Sequence, residues 1–409
     1  MVNVTGSATG AVVRKSVDTA RSTAITGISR LVTNDPGAGP GALGIVEDAA
    51  VVIEGDRIVW VGPSSAVPPA DIGFDAAGRA VLPGWVDSHS HLLFAGDRSA
   101  EFSARMAGQP YAAGGILTTV TATREASTPD LAARLDRRIA EMVAGGTTCI
   151  ETKTGYGLTT VDEARSASLA AAAGVDVVTF LGAHLTAPEF ASDPDSYVDL
   201  VCGPMLDAVA PNVQFIDVFC EEGAFDEPRT RRILAAGMRK GLGLKVHGNQ
   251  LGEGAGVRIA VDCGAVSVDH CTYLSDRDID LLGGSSTVAT LLPVCDLSTR
   301  QAPAPGRRLI DAGATVALAS NCNPGSCYTP SMALAVALAV IQCGLTADEA
   351  VAAATVGGAR ALARTDVGVV AVGKRADLHV LDAPSHDYLA YRVGLPMTHA
   401  VWRAGVRAV

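Results

Sequence analysis

The sequence contains no run of 18 or more apolar residues, so no segment of it reads as a membrane-spanning helix. The most apolar stretch, MALAVALAV at 332–340, is too short for that role and fits a buried helix. Basic clusters are missing as well. Lys and Arg number 32 against 43 Asp and Glu, a net charge of −11. Nucleic acids and anionic membranes both require concentrated positive charge, so neither is an expected partner. The densest basic group, Arg229, Arg231 and Arg232, reads as one exposed side of a helix. There are nine cysteines but no CxxC pair, and this odd, dispersed set predicts reduced thiols and a cytoplasmic protein. Cys322 and Cys327 are read as packing residues. The N-terminal segment MVNVTGSATGAVVRKSVDTARST lacks the continuous apolar core of a secretory signal, and its small polar residues predict poor order over the first 25 or so positions. Low-complexity tracts and fixed-period repeats are absent too.

What is present is an alternation. With 409 residues, 48% of them hydrophobic, the chain can bury a large core, and α/β barrels reach this length as one unit. Eight short apolar runs can be counted: AVLPGWVD (80–87), GTTCIE (146–151), VDVVTFLG (175–182), QFIDVFC (214–220), GLKVH (243–247), AVSVDH (265–270), TVATLLP (287–293) and TVALAS (315–320). Helical patterns separate them, as at 129–144 and 227–240. Near-continuous apolar strands alternating with helices imply a parallel sheet covered on both faces. Eight such units predict a closed (β/α)₈ TIM barrel. Outside it, AAVVIEGDRIVWVG (49–62) alternates like a hairpin turning at Gly55 and Asp56, and the chain end carries ADLHVLDA and HAVWRAGVRAV. The expected organisation is a small β-sandwich domain built from residues 1–82 and 369–409 around a catalytic barrel of residues 83–368.

The residues that follow the predicted strands carry the chemistry. The first run leads to Asp87, His89 and His91, the second to Glu151 and Lys153, and the third to His184. Glu221 and Glu222 follow the fourth, His247 ends the fifth, Asp269 and His270 end the sixth, and Asn321 follows the eighth. C-terminal strand ends are where barrel enzymes place their active sites. His89 and His91 stand two apart on an extended segment, so both imidazoles project to one face and can reach one divalent cation. Alone, such a pair is weak evidence. Combined with His247 and His270 on neighbouring strand ends it becomes a metal site, for which imidazole donors suit Zn or Fe.

The segments DSHSHLLFAGDRSAEF (87–102), ETKTGYGL (151–158), TFLGAH (179–184), DVFCEEGAF (217–225), VHGNQL (246–251) and NCNPGS (321–326) resemble the imidazolonepropionase family. GKRADLHVLDAPS (373–385) resembles the return strand of amidohydrolases in general. The resemblance runs from about residue 31 onward. It implies hydrolysis of 4-imidazolone-5-propanoate to N-formimidoyl-L-glutamate, the third step of histidine breakdown, with a small-molecule substrate, one divalent Zn or Fe per chain and a homodimer. By this resemblance His89, His91 and His247 bind the metal, and Arg98 holds the substrate propionate. A guanidinium suits that task because it grips a carboxylate bidentately; the plainer reading of Arg98 is a surface ion pair with Asp97 or Glu101. Tyr156 and His184 match the family's substrate-contacting pair, with His184 placed to hydrogen-bond the ring carbonyl and stabilise the developing oxyanion. Asn323, Gly325 and Ser326 match the loop that contacts substrate or product.

Two positions depart from the family pattern. Where it has the Asp that completes the metal site and takes a proton from water, this chain has Asn321, which offers an oxygen but no charge. Where some members carry a Glu three residues after the strand-five histidine, this chain has Gln250. The catalytic set read from the sequence is therefore His270, His184, Asn321 and Gln250, with Asn321 also a candidate metal ligand. Three explanations stand side by side: Asn321 weakens metal binding and turnover; His270 or His184 takes the proton; or the protein binds an imidazolone-like ligand without hydrolysing it. A different amidohydrolase, such as a deaminase of a cyclic amidine, is the nearest enzymatic alternative and would not need the Arg98 clamp.

Overall fold

A computed structural model describes residues 21–108 and 115–409. Of the N-terminal segment expected to be poorly ordered, residues 1–20 lie outside the described range, and residues 22–25 belong to a strand. Two sheets organise the chain. The first contains β1 (Ser22–Leu31), β2 (Val46–Glu54), β3 (Arg57–Pro63), β4 (Ile72–Asp75) and β5 (Ala80–Pro83). The second is built from β6 (Trp85–Asp87), β7 (Thr147–Lys153), β8 (Val177–Ala183), β9 (Phe215–Cys220), β10 (Gly243–Gly248), β11 (Ser267–His270), β12 (Val288–Leu291) and β13 (Val316–Leu318). The chain then returns to the first sheet through β14 (Leu378–Leu381), β15 (Thr398–Arg403) and β16 (Val406–Arg407).

The first sheet runs β16-β15-β14-β5-β1-β2-β3, with β4 paired to β1. Its N-terminal and C-terminal strands meet where β14 lies antiparallel to β5, His379 opposite Leu82. The hairpin read at 49–62 is β2 and β3, turning at Gly55 and Asp56. The turns at one end of the sheet are tied together: Ala376 N–H, before β14, donates to Asp56 O of the β2–β3 turn at 2.8 Å, and Gly405 N–H of the β15–β16 turn donates to Ala376 O at 2.9 Å. Ile25, Val51, Ile58, Leu378 and Trp402 fill the enclosed core.

The second sheet is an eight-stranded parallel barrel in sequence order, β6 to β13. Its strands are buried along their whole length apart from the first residue of β10, which explains their near-continuous apolar reading. The run 80–87 proves to be two strands, β5 in the small sheet and β6 in the barrel. Helices cover the outside. Thr128–Ala144 begins on a Ser127 cap that accepts from Asp130 N–H, and Glu227–Arg239 begins on Asp226 in the same way. Helix Met332–Ile341 is mostly buried, as its composition predicts. Arg229, Arg231 and Arg232 lie on the outer helix and pair with Asp195, Asp262 and Asp199 respectively.

Closure of the barrel occurs at its C-terminal mouth. Asn321 N–H donates to His89 O at 2.9 Å, and His91 N–H to Cys322 O at 2.9 Å. Asp87 spans the same seam, accepting from Ser320 N–H at 3.1 Å and from the Ser320 hydroxyl. The segments after β6 and β13 are thus bonded to one another where the candidate ligands sit. All nine cysteines are free thiols. Among the described residues no helix is long and apolar enough to cross a membrane.

Candidate active site

The HxH segment is fixed by the neighbouring strand. Ser90 lies between the two histidines, and its N–H donates to Glu151 Oε2 at 3.1 Å while Lys153 N–H donates to Ser90 O at 2.8 Å. Ser90 is thereby turned to the strand, and both imidazoles face the barrel axis. His89, His91 and His247 are buried, and one ligand atom from each lies within 4.8 Å of the others. His89 Nε2 and His91 Nε2 are 3.3 Å apart. Two nitrogens bound to one tetrahedral ion at 2.0–2.1 Å are separated by roughly 3.3 Å, so the spacing fits a shared cation. The chemistry of the donors agrees. Among the described residues His247 Nε2 is buried without a hydrogen-bond partner, a costly state that a cation relieves.

Behind the imidazoles stand carboxylates. His89 Nδ1 is 2.6 Å from Asp269 Oδ2, and His247 Nδ1 is 3.0 Å from Asp217 Oδ2. The first is a hydrogen bond, and such a partner fixes the tautomer and leaves the other ring nitrogen for a metal; the second is an ion-pair contact without hydrogen-bond geometry. Burial pushes both carboxyls up, but for Asp217 the facing His247 and Lys153, and for Asp269 Lys245, Lys153 and His89, outweigh it and hold them well below the usual range. His89 is driven down to about 3, by burial first and then by Lys153 and His247.

In front of the trio opens a small pocket. His91, Arg98, Tyr156, His184, His247, Gln250, His270, Asn321, Asn323 and Ser326 line it, along with Ile116, Leu185 and Phe219. Nearly every residue singled out in the sequence therefore meets in one place. Gly325 borders the pocket from outside: its N–H donates to Asn323 Oδ1 at 2.8 Å, its carbonyl accepts from Arg105 at 3.0 Å, and a Cβ there would collide with the Arg98 guanidinium. Arg98 is buried, and its Nε and Nη2 grip Glu101 at 2.8 and 2.7 Å. The ion pair read as the plainer alternative is thus real, yet it is not a surface feature, because it sets the guanidinium in the pocket wall.

His184 Nδ1 lies 3.1 Å from Gly155 O. A carbonyl only accepts, so Nδ1 carries the proton and Nε2 presents a lone pair. Burial foremost, and His247 next, push this imidazole down to about 3, so it is neutral. In this neutral tautomer Nε2 is an acceptor, and donation to an oxyanion, the role the resemblance implies for His184, requires the ring to carry a second proton. His270 is neutral too, pushed well below its ordinary value by burial and by His247 and His89. Its Nδ1 has no partner among the described residues, and its backbone is held at φ 86°. Asn321 is also left-handed, at φ 51°, with its Nδ2 3.4 Å from Ser326 Oγ. Strain of this kind, about 1–3 kcal/mol per residue, tends to gather where geometry serves a site.

Asp217, Asp269 and Lys153 were not assigned roles from the sequence. The signal available was a charged residue inside a strand that is otherwise apolar, as in FIDVFC of β9.

The chain matches the amidohydrolase family over residues 80–408. It is 63% identical over 390 residues to the imidazolonepropionase of Saccharopolyspora erythraea, covering 94% of this chain and 98% of that one. With the imidazolonepropionase of Streptomyces griseus it shares 59% identity, covering 95% and 99%. Among solved structures, an atrazine chlorohydrolase from Arthrobacter aurescens complexed with zinc superposes with a TM-score of 0.71 at 18% identity, covering 94% of each chain. A zinc-bound adenosine deaminase from Xanthomonas campestris gives 0.70 at 20% identity, covering 94% and 92%. These two likenesses concern the fold alone. The chain belongs to the amidohydrolase family and, within it, to the imidazolonepropionases.

Proposed function

We propose that this chain hydrolyses the cyclic amide of 4-imidazolone-5-propanoate to N-formimidoyl-L-glutamate, with His89, His91 and His247 holding one divalent Zn or Fe and Asn321 adjoining them. The observation that carries the reading is the pairing of a cation-binding trio with a buried guanidinium, Arg98, in one small pocket. A ring bound between them has its carboxylate tail on Arg98 and its amide beside the histidines. When bound there, such an ion would supply Lewis-acid activation of water and of a carbonyl oxygen.

Within that frame the chain's own groups divide the work. Water adds its oxygen to the ring amide carbon, the C–N bond opens, and the departing nitrogen takes a proton. His270 is the group that moves this proton. It is neutral, lies beside the trio with ring centroids 5.5 Å from those of His89 and His247, and its Nδ1 is not committed to a partner. His184 is committed, since Nδ1 is given to Gly155, so its Nε2 accepts from a substrate N–H and orients the ring. Gln250 can hold a polar group but cannot transfer a proton. Asn323 Oδ1 accepts from Gly325 N–H and Ser326 N–H, fixing the loop that closes the carboxylate end.

Replacement of Arg98 separates this reading from deamination of a cyclic amidine. Arg98→Ala raises KM for imidazolone propionate by about 10- to 100-fold, the worth of a charged hydrogen-bonded pair, and leaves an analogue lacking the propionate unaffected. Equal losses on both substrates would assign Arg98 to the fold and remove the reason for choosing this substrate.

A further inference from the structure

Beneath the histidine trio lies a set of buried charges that no step of the reaction uses. Lys153 ends β7, and its side chain is fully shielded from solvent. Its Nζ lies 2.8 Å from Glu151 Oε1, 2.9 Å from Asp217 Oδ2 and 3.5 Å from Asp269 Oδ2. The two aspartate oxygens it reaches are the same atoms that face the histidines: Asp217 Oδ2 meets His247 Nδ1, and Asp269 Oδ2 meets His89 Nδ1. One ammonium therefore touches both oxygens that orient two different candidate ligands. The other buried lysine nearby, Lys245, donates to Ser88 O at 3.1 Å and adds its charge at Asp269, but among the described residues it makes no ion pair with either aspartate.

We propose that Lys153 is a positioning residue that sets the affinity and geometry of the metal site by holding Asp217 and Asp269 in place together. The proposal rests on the reading of His89, His91 and His247 as ligands of a divalent cation. Three carboxylates buried within reach of one another repel unless a cation sits among them. A lysine suits the place because its ammonium is a compact charge with three donors, whereas a guanidinium is a planar fork. With Lys153 in position, each aspartate presents one oxygen to a ring nitrogen, and each imidazole turns its Nε2 to the common point. Without it the aspartates separate, and the two rings lose their fixed orientation independently of one another.

Cobalt(II) titration of metal-free protein tests this, read by the visible absorption of the bound ion and by competition with a chelator. Lys153→Met is expected to weaken cobalt binding by about 10- to 100-fold, the range typical of residues that support metal ligands, and to alter the cobalt spectrum. Lys153→Arg keeps the charge, and with it the fold, yet is expected to shift the spectrum and weaken binding as well; it decides the matter if Lys153→Met does not fold. Combining Lys153→Met with Asp269→Asn should cost less than the sum of the two single losses, because both act through one contact. Wild-type affinity and spectrum in the Lys153 variants, or losses that simply add, would overturn the proposal. If the wild-type protein itself takes up no cobalt, the metal reading falls and this inference with it. A wild-type protein that binds cobalt, beside variants that bind it equally well, sinks the inference alone.

Discussion

In the small sheet, Ile25, Val51, Leu378 and Trp402 are shielded from solvent by one another. At the mouth of the barrel, His89, Lys153, Asp217 and Asp269 are equally shielded, and each is polar or charged. Both regions are dense, but the first gains from burial directly, by about 25 cal/mol for each Å² of apolar surface removed from water. In the second, burial is a cost that only close pairing offsets. Positive φ does not separate the two regions: His270, Cys271, Asn249 and Asn321 adopt it around the mouth, and Asn34, Asp48, Ala77 and Ala404 adopt it in and beside the small sheet. The small sheet and the barrel wall provide stability, which lets the mouth hold neutral histidines, clustered charges and strained turns in fixed places.

That contrast can be broken by exchanging the expected consequences. The largest effect should come from the mouth. His270→Asn is expected to lower kcat by about 10²–10⁴-fold, the usual worth of a proton-transfer group, with little change in unfolding temperature. A loss confined to KM would move His270 from proton transfer to binding. Next in size is the small sheet. Trp402 packs edge-on against Phe74 at 4.8 Å, and Trp402→Ala should cost about 3–5 kcal/mol of stability in denaturant unfolding while kcat/KM of the folded fraction stays unchanged. A parallel fall in kcat/KM would mean that the two regions are coupled.

Asn321→Asp sharpens the comparison within the mouth by adding the charge that the resemblance leads one to expect there. Metal affinity and kcat should both rise, on the order of tenfold or more, measured by chelator competition and steady-state turnover. No gain in either would show that Asn321 is not a defect. The smallest effect at neutral pH belongs to His379, a buried histidine of the small sheet that packs edge-on to Trp85 and hydrogen-bonds Thr398. Burial alone drives it from 6.5 to about 3. Its folded value lies below its unfolded one, so the folded state prefers the neutral ring. That stability is fully present above pH 6.5 and is lost progressively as pH falls toward 3. His379→Gln should flatten the acid limb of the stability profile and leave the pH 7 value nearly unchanged; an unaltered acid limb would assign the sensitivity to other groups.

The barrel could be read in the sequence because its strands are buried on both faces, so that composition alone marks them. The boundary between the two parts was expected at 82/83, inside the apolar run 80–87; the run divides into β5 and β6 at Gly84, which backs onto Thr148 of the neighbouring barrel strand. His89, His91, His247 and His270 were legible because strand ends face the mouth whatever the register. The roles of Lys153, Asp217 and Asp269 were not, since they depend on three strands meeting side by side within the barrel. The His184 tautomer was equally hidden, because Gly155 lies 29 positions away and the informative atom is a backbone oxygen.

The most direct test is metal analysis of the purified protein together with a turnover assay on 4-imidazolone-5-propanoate. About one Zn or Fe per chain, with ring opening to N-formimidoyl-L-glutamate, is the predicted result and would make a histidine the proton carrier in a site that has Asn321 at the end of its eighth strand. A stoichiometric metal without ring opening, or ring opening that survives complete removal of metal, would contradict it.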